Sequence, residues 1–129
     1  MAGVHHVTLT VTDIRRSADW YQALLGPANE VVRQGDSWER IRMQWPSGLV
    51  IGVTRHAGTA DHAFDFSRPG LDHLGLTCDS EDEVRAWWQR AEDLGMVHGP
   101  VEVAPYGWAV TLNDPDGIAI EFFCPVARP

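Results

Sequence analysis

The chain repeats one sequence pattern at an interval of about half its length. The stretch VHHVTLTVTD at residues 4–13 matches LDHLGLTCDS at residues 71–80 at a single offset of 67 residues. The aligned pairs are Val4 with Leu71, His6 with His73, Leu9 with Leu76, Thr10 with Thr77, and Trp20-Tyr21 with Trp87-Trp88. An internal repeat of this period indicates a duplicated supersecondary unit. The fold must therefore accommodate two copies of the same arrangement of strands and helices.

The first copy begins with a strand and a helix. HVTLTV alternates with period two, so that Leu9 falls on one face and His6 on the other. DIRRSADWYQALLG begins with Asp13, which can cap a helix, and ends with Gly26, which can stop it. Its apolar residues at helical spacing are Ile14, Ala18, Tyr21 and Leu25. Three runs rich in β-branched and aromatic residues follow, NEVVRQ, SWERIRMQW and GLVIGVTR. This order predicts a βαβββ module over residues 1–56.

The second copy follows a segment at 57–69 that is rich in Gly, Ala, Asp and His and is interpreted as a linker. LDHLGLTC predicts a strand, and SEDEVRAWWQRAEDLG predicts a helix with a capping box formed by Ser80 and Glu83. The apolar stripe of this helix consists of Val84, Trp87, Trp88, Ala91 and Leu94. GPVEVA, GWAVTLN and GIAIEFF predict three more strands. We therefore expect one α+β domain of residues 1–129, with a second βαβββ module over 70–125.

The charge composition excludes several partners and mechanisms. The formal net charge is −8, from 18 acidic residues against 10 arginines, and the sequence contains no lysine. An acidic surface argues against binding to nucleic acid or to anionic membranes. The absence of lysine excludes a Schiff base or a lysine acting as general base. We expect a small-molecule ligand.

Cysteine usage and hydropathy indicate an expected cellular location. Cys78 and Cys124 lie in apolar strand-like runs without short ligand spacing, which favours buried free thiols. The sequence has neither a leader-like segment nor an apolar run long enough to cross a membrane. We therefore expect a soluble, cytoplasmic protein.

Three side chains able to bind a metal are predicted to face away from the helices. His6 and His73 occupy equivalent positions of the repeat, and Glu121 points away from the apolar face of the last strand. A carboxylate flanked by apolar residues is costly to bury without a cation. Two histidines and one carboxylate form a recurring ligand set for Fe(II), Mn(II), Ni(II) or Zn(II).

The paired modules, with HHVTLTVTDIRRSADWYQALLG, GLDHLGLTC and LNDPDGIAIEFF, resemble the vicinal oxygen chelate superfamily over nearly the whole chain. That superfamily contains glyoxalase I, extradiol dioxygenases, methylmalonyl-CoA epimerase, fosfomycin-resistance thiol transferases and bleomycin-binding proteins. The resemblance implies that the modules curl into a mixed β-sheet cup, that such halves pair between chains in a homodimer, and that the first and last strands of each half supply the ligands.

The ligand positions implied by the resemblance are His6, Gly52, His73 and Glu121. Glycine supplies no ligand, so a three-ligand centre with open metal positions is expected, and isomerase chemistry is disfavoured. Glu121 is then also a candidate catalytic residue. The resemblance to the dioxygenases implies a further histidine near the site, for which His56 and His62 are the candidates.

Further residues are candidates for substrate binding. Thr8 shares a face with His6, and Thr111 stands where the dioxygenases have a tyrosine. Arg40 and Arg42 share a face of the third strand and could hold a carboxylate or phosphate, although a pair of surface arginines is an alternative. Tyr106 and Trp108 follow Pro105 and either line a pocket mouth or pack together.

Two functions remain open on these grounds. The first is a metal-dependent enzyme, dioxygenase-like or glyoxalase- or lyase-like, whose small oxygen-rich substrate chelates a divalent ion held by two histidines and one glutamate. The alternative is a metal-free binding protein that sequesters a ligand, as bleomycin-resistance proteins do. Six tryptophans would suit such a binder through stacking on an aromatic ligand.

Overall fold

The computed structural model describes residues 2–127 and divides into two compact units, Met1–His62 and Ala63–Pro129. Each unit contains one helix and one open four-stranded sheet. The prediction of an α+β fold built from two βαβββ modules is confirmed.

The first unit contains strands β1 (Val7–Thr10), β2 (Asn29–Gln34), β3 (Trp38–Gln44) and β4 (Val50–His56), with helix α1 (Ile14–Leu25) between β1 and β2. The strand order is β1-β4-β3-β2, with β1 parallel to β4 and the other neighbours antiparallel. The chain therefore crosses from β1 through α1 and returns to place β4 in the centre of the sheet beside β1.

Helix α1 covers one face of this sheet. Its N-cap residue Asp13 accepts a hydrogen bond from the backbone N–H of Arg16 at 3.0 Å, which satisfies a donor that the first turn leaves unpaired. The helix buries Tyr21 and Leu24 completely, whereas the predicted Leu25 is only half-buried. The sheet side chains buried on the same side include Leu9, Ile41, Met43, Ile51 and Val53.

The second unit repeats this arrangement. Strands β5 (Leu74–Thr77), β6 (Glu102–Ala104), β7 (Gly107–Asn113) and β8 (Ala119–Pro125) form a sheet in the order β5-β8-β7-β6, and helix α2 (Glu81–Asp93) follows β5. Strand β5 is parallel to β8, and the other pairs are antiparallel. The last strand of each module, β4 or β8, therefore occupies the same position in its sheet.

Helix α2 packs on β7 and β8. Ser80 caps it by accepting a hydrogen bond from the backbone N–H of Glu83 at 3.1 Å, as the capping box predicted. The Trp87 ring stacks on Phe122 with ring centroids 4.3 Å apart. Leu94, which was predicted to lie on the apolar stripe, is instead exposed just beyond the last turn.

The cysteines and the helix lengths bear on two further expectations. Cys78 and Cys124 are both buried and free, as expected, and burial raises the pKa of the Cys78 thiol to about 12. Within residues 2–127, neither helix is long and apolar enough to cross a membrane.

Candidate functional site

His73 and Glu121 come together in the second unit. His73 immediately precedes β5, and Glu121 lies in β8 directly opposite Gly75 of β5. His73 Nε2 is 3.8 Å from Glu121 Oε2. The alternation of the strands sends Ile120 and Phe122 to the helix side, where both are buried. The imidazole and the carboxylate therefore share the face that α2 leaves uncovered.

Asp72 fixes the orientation of the His73 ring. Asp72 Oδ1 lies 2.7 Å from His73 Nδ1, so that the Nδ1–H donates to a carboxylate and Nε2 is directed at Glu121. This hydrogen bond is the largest cause that raises the pKa of His73, with a smaller contribution from the charge of Glu121. A histidine held through Nδ1 by a carboxylate presents Nε2 in the manner of a metal ligand.

The space beside Glu121 is open on one side. A Cβ atom built on Gly75 would meet no other atom within 4 Å, and Thr111 of β7 lies directly opposite Glu121 on the other side. The Glu121 side chain is 25% exposed, against 45% for His73. A small ligand could therefore reach both groups from the side of Gly75.

The first unit places the corresponding residues in the same register. Thr8 of β1 pairs with Gly52 of β4, as Gly75 pairs with Glu121 in the second unit. Since Thr8 and Gly75 are equivalent in the repeat, this register supports the alignment of Gly52 with Glu121. His6 precedes β1 directly, and its Nδ1 lies 2.9 Å from Nδ1 of His5.

The two arginines lie on the face of Gly52. Arg42 pairs with Gly52 and Arg40 pairs with Thr54, whereas Ile41 and Met43 are buried beneath α1. Arg40 Nε donates a hydrogen bond to Thr54 Oγ1 at 2.8 Å, and its guanidinium lies 4.7 Å from the centre of the Trp38 ring. The strand register therefore places both arginines on the face of the sheet that α1 leaves uncovered, which strand periodicity alone could not decide.

The four remaining candidate residues do not lie beside the site residues of their own units. They are His56, His62, Tyr106 and Trp108. His56 is exposed at the end of β4 opposite Trp38, and His62 is exposed in the segment that follows. Tyr106 is 71% exposed in the turn between β6 and β7. Trp108 is paired with the buried Cys124, and strand alternation places it on the same side as Val110, away from Glu121.

Asp72 was missed by the sequence reasoning. The signal that could have identified it is the repeat itself, because Asp72 aligns with His5, and each of these residues contacts Nδ1 of the histidine that follows it. A carboxylate directly before a candidate ligand histidine is a recognisable supporting residue.

The pair formed by His73 and Glu121 fits two positions of a divalent metal site. Bonds of about 2.1 Å place neighbouring ligand atoms roughly 3.0 to 3.4 Å apart around one ion, and the 3.8 Å between Nε2 and Oε2 is near that range. Within residues 2–127, no group of three His, Cys, Asp or Glu side chains is arranged to hold a metal ion. The second unit therefore positions one imidazole nitrogen and one carboxylate close together on its uncovered face.

Residues 3–122 match the family model of the Glyoxalase/Bleomycin resistance protein/Dioxygenase superfamily. A crystal structure of a glyoxylase/bleomycin resistance protein/dioxygenase domain from Frankia sp. EAN1pec is 34% identical, with a TM-score of 0.88 and coverage of 98% of this chain and 99% of that one. Among curated proteins, the sequence finds no match.

The fold is also similar to that of the fosfomycin resistance protein FosX from Listeria monocytogenes. One FosX structure is 20% identical, with a TM-score of 0.74 and coverage of 98% of this chain and 94% of that one. A FosX variant complexed with Mn(II) and 1S,2S-dihydroxypropylphosphonic acid is 20% identical, with a TM-score of 0.70 and coverage of 95% and 90%.

Proposed function

Since the chain belongs to the Glyoxalase/Bleomycin resistance protein/Dioxygenase superfamily, we propose that it is a metal-dependent enzyme acting on a small oxygen-rich substrate. His6, His73 and Glu121 hold one divalent ion, Fe(II), Mn(II), Ni(II) or Zn(II), in this proposal. The observation that carries it is the position of His73, whose Nδ1 is bound by Asp72 and whose Nε2 faces Glu121 at 3.8 Å.

When bound, the ion would supply Lewis-acid stabilisation of negative charge on substrate oxygens. The residues of the chain provide the rest of the site. Asp72 holds the His73 ring, Gly75 leaves room beside Glu121, and Thr111 can donate a hydrogen bond to a substrate oxygen. Glu121 is also the base available to accept a proton from a bound hydroxyl.

Gly52 favours dioxygenase-like or lyase-like chemistry over isomerisation. It lies at the register position equivalent to Glu121 and supplies no carboxylate there. A centre with three protein ligands retains positions for two substrate oxygens. The Mn(II) and the dihydroxypropylphosphonic acid in the FosX structure are compatible with an ion and an oxygen-rich ligand in this fold.

The third donor enters from a second chain in this proposal. His6 belongs to the first unit and the His73–Glu121 pair to the second. A homodimer would supply His6 from the partner to the pair, which gives one ion for each chain.

The experiment is metal analysis of tag-free protein purified without chelators, followed by calorimetric titration with Zn(II), Ni(II) and Mn(II). We expect about one ion per chain. Metal binding should be lost in His73→Ala and in Glu121→Gln, because each change removes one of the three proposed protein ligands. Glu102→Gln on the exposed strand β6 is the matched control and should bind as the unaltered chain does. Catechol should produce an absorbance change that requires the ion.

A second candidate is the metal-free binding protein. The six tryptophans of the chain favour it, because they suit stacking on an aromatic ligand. This second function would replace the first if the protein binds no metal and if an aromatic ligand binds equally well to Glu121→Gln and to the unaltered chain.

A further inference from the structure

A row of three residues crosses the uncovered face of the first sheet. Thr8 of β1, Gly52 of β4 and Arg42 of β3 pair side by side in register. Neighbouring strands are about 4.8 Å apart, so the backbones of Thr8 and Arg42 lie roughly 10 Å apart with Gly52 between them. A hydroxyl and a guanidinium therefore flank a position that has no side chain.

Gly52 adds no side chain between Thr8 and Arg42. The residue is buried, and a Cβ built on it would lie 3.1 Å from Thr8 Oγ1. Thr8 Cγ2 would lie 3.3 Å from the same Cβ, so the Thr8 side chain packs directly against the glycine. Any larger residue at position 52 would displace the Thr8 hydroxyl from its place beside Arg42 in the row.

Arg42 is available to bind a ligand. It is half-buried, and among residues 2–127 no hydrogen bond or ion pair engages its guanidinium. This is notable in a chain with 18 acidic residues against 10 arginines. A partly desolvated guanidinium is stabilised by a two-pronged contact with an oxyanion.

The adjacent Arg40 is already held in place. Its Nε donates to Thr54 Oγ1, and its guanidinium lies against the Trp38 ring. The two arginines are therefore not equivalent. Arg40 makes contacts within the sheet face, whereas the N–H groups of Arg42 remain available to a ligand. The second positive charge still lowers the cost of bringing an anion to this face.

We propose that Thr8, Gly52 and Arg42 form a binding site for an oxyanion, a carboxylate or a phosphate-type group, carried by the substrate. Arg42 donates two N–H groups to the anion, Thr8 donates its hydroxyl, and Gly52 allows the Thr8 side chain to pack close to the sheet. Only the identification of this ligand as the substrate rests on the proposed function, because oxyanion binding itself requires no metal. The site restricts the substrates to small anionic molecules.

The test uses the full chain freed of metal and titrated with inorganic phosphate or with acetate at constant ionic strength. Binding is followed through the arginine Nε–Hε and Gly52 amide signals in ¹H–¹⁵N NMR spectra. We expect saturable shifts of the Arg42 and Gly52 signals. Tighter binding of phosphate would identify a phosphate-type ligand, and tighter binding of acetate a carboxylate.

Three variants separate the site from general surface charge. Arg42→Gln should weaken binding about tenfold or more, and Thr8→Val about threefold. Arg33→Gln alters an exposed arginine on the neighbouring strand β2 and should change the affinity by less than about twofold. Thr8 is exposed, so Thr8→Val should fold and still test the site if Arg42→Gln does not.

Two results would overturn this inference, namely the absence of saturable shifts at Arg42 and Gly52, or equal losses of affinity in Arg33→Gln and Arg42→Gln. His73→Ala, which should lose metal binding, should retain phosphate or acetate binding. A chain that binds the anion but no metal would therefore contradict the proposed function and leave the oxyanion site standing.

Discussion

His73 Nδ1 lies 2.7 Å from Oδ1 of Asp72, the residue that precedes it in the chain. The same relationship occurs in the first half of the repeat, where Nδ1 of His6 lies 2.9 Å from Nδ1 of His5. In both halves the neighbouring side chain engages one ring nitrogen and leaves Nε2 for another contact. The duplicated motif therefore preserves a way of orienting a histidine as well as the histidine itself.

Replacing Asp72 by Asn should weaken metal binding without removing a ligand. Outer-shell partners of ligand histidines typically contribute about 10- to 100-fold in metal affinity, so a loss of that size is expected in calorimetric titration with Zn(II). Asp82→Asn, on the exposed first turn of α2, is the matched control. In the metal-free protein, ¹⁵N NMR of the His73 ring should show a smaller fraction with the proton on Nδ1.

A reduced Zn(II) affinity with an unchanged ring spectrum would argue against this role for Asp72. The loss would then reflect the removal of a negative charge near the ion. An unchanged affinity would show that the ring is oriented by other contacts.

Gly52→Glu should strengthen metal binding and abolish oxyanion binding. The new carboxylate would stand at the register position equivalent to Glu121 and directly opposite Arg42. A cross-strand ion pair with Arg42 would compete with phosphate. Because the added Cβ lies 3.1 Å from Thr8 Oγ1, the Thr8 side chain must shift, at a cost of about 1 kcal/mol in the free energy of unfolding.

Gly52→Gln separates the charge from the volume at that position. It should also block phosphate binding but should not raise the affinity for Zn(II), because an amide is a poorer ligand than a carboxylate. Equal gains of Zn(II) affinity in both variants would mean that position 52 does not face the ion.

The elements of the fold could be predicted from the sequence because they depend on local signals. Asp13 and Ser80 cap their helices, and alternating residues separate the covered and uncovered faces of the sheets. Errors occurred at the ends of elements. Leu94 lies past the last turn of α2, where periodicity no longer determines burial.

The site could be predicted only in part, because its geometry depends on register. Periodicity placed Glu121 on the uncovered face, but the contact of that carboxylate with His73 follows from the parallel pairing of β5 with β8. The face occupied by Arg42 likewise required its pairing with Gly52. Strand alternation alone has two equivalent solutions for each strand.

Mixing two variants that each fail to bind metal should restore metal binding if His6 comes from a second chain. We expect light scattering to give a homodimer, with about twice the 14.3 kDa of one chain. In a dimer of His6→Ala with Glu121→Gln, one of the two sites retains all its ligands. Refolding an equal mixture should therefore recover about a quarter of the Zn(II) sites.

Each variant refolded alone is the control and should bind no Zn(II). A monomeric mass at all concentrations would refute the shared site. A dimer without any recovery on mixing would assign all three ligands to one chain.

The stability of the second unit should depend on pH through His98. Its Nδ1 lies 2.7 Å from the carbonyl oxygen of Gly99, and its Nε2 contacts the carboxylate of Glu92. A carbonyl oxygen can only accept, and a carboxylate accepts as well, so both ring nitrogens donate when the ring is protonated. The hydrogen bond to Gly99 and then that to Glu92 raise the pKa of His98.

Because the folded state holds this proton more tightly, the stabilisation is complete below the unfolded pKa of about 6.5 and is lost as the pH rises through the higher folded pKa. Glu92→Gln removes the charged partner, so urea unfolding should show the unaltered chain to be more stable than this variant near pH 5.5, and the difference should shrink toward about pH 9. Glu102→Gln on β6 should show no such trend. A difference between the chain and Glu92→Gln that stays constant across this range would mean that the contact is maintained by the neutral ring.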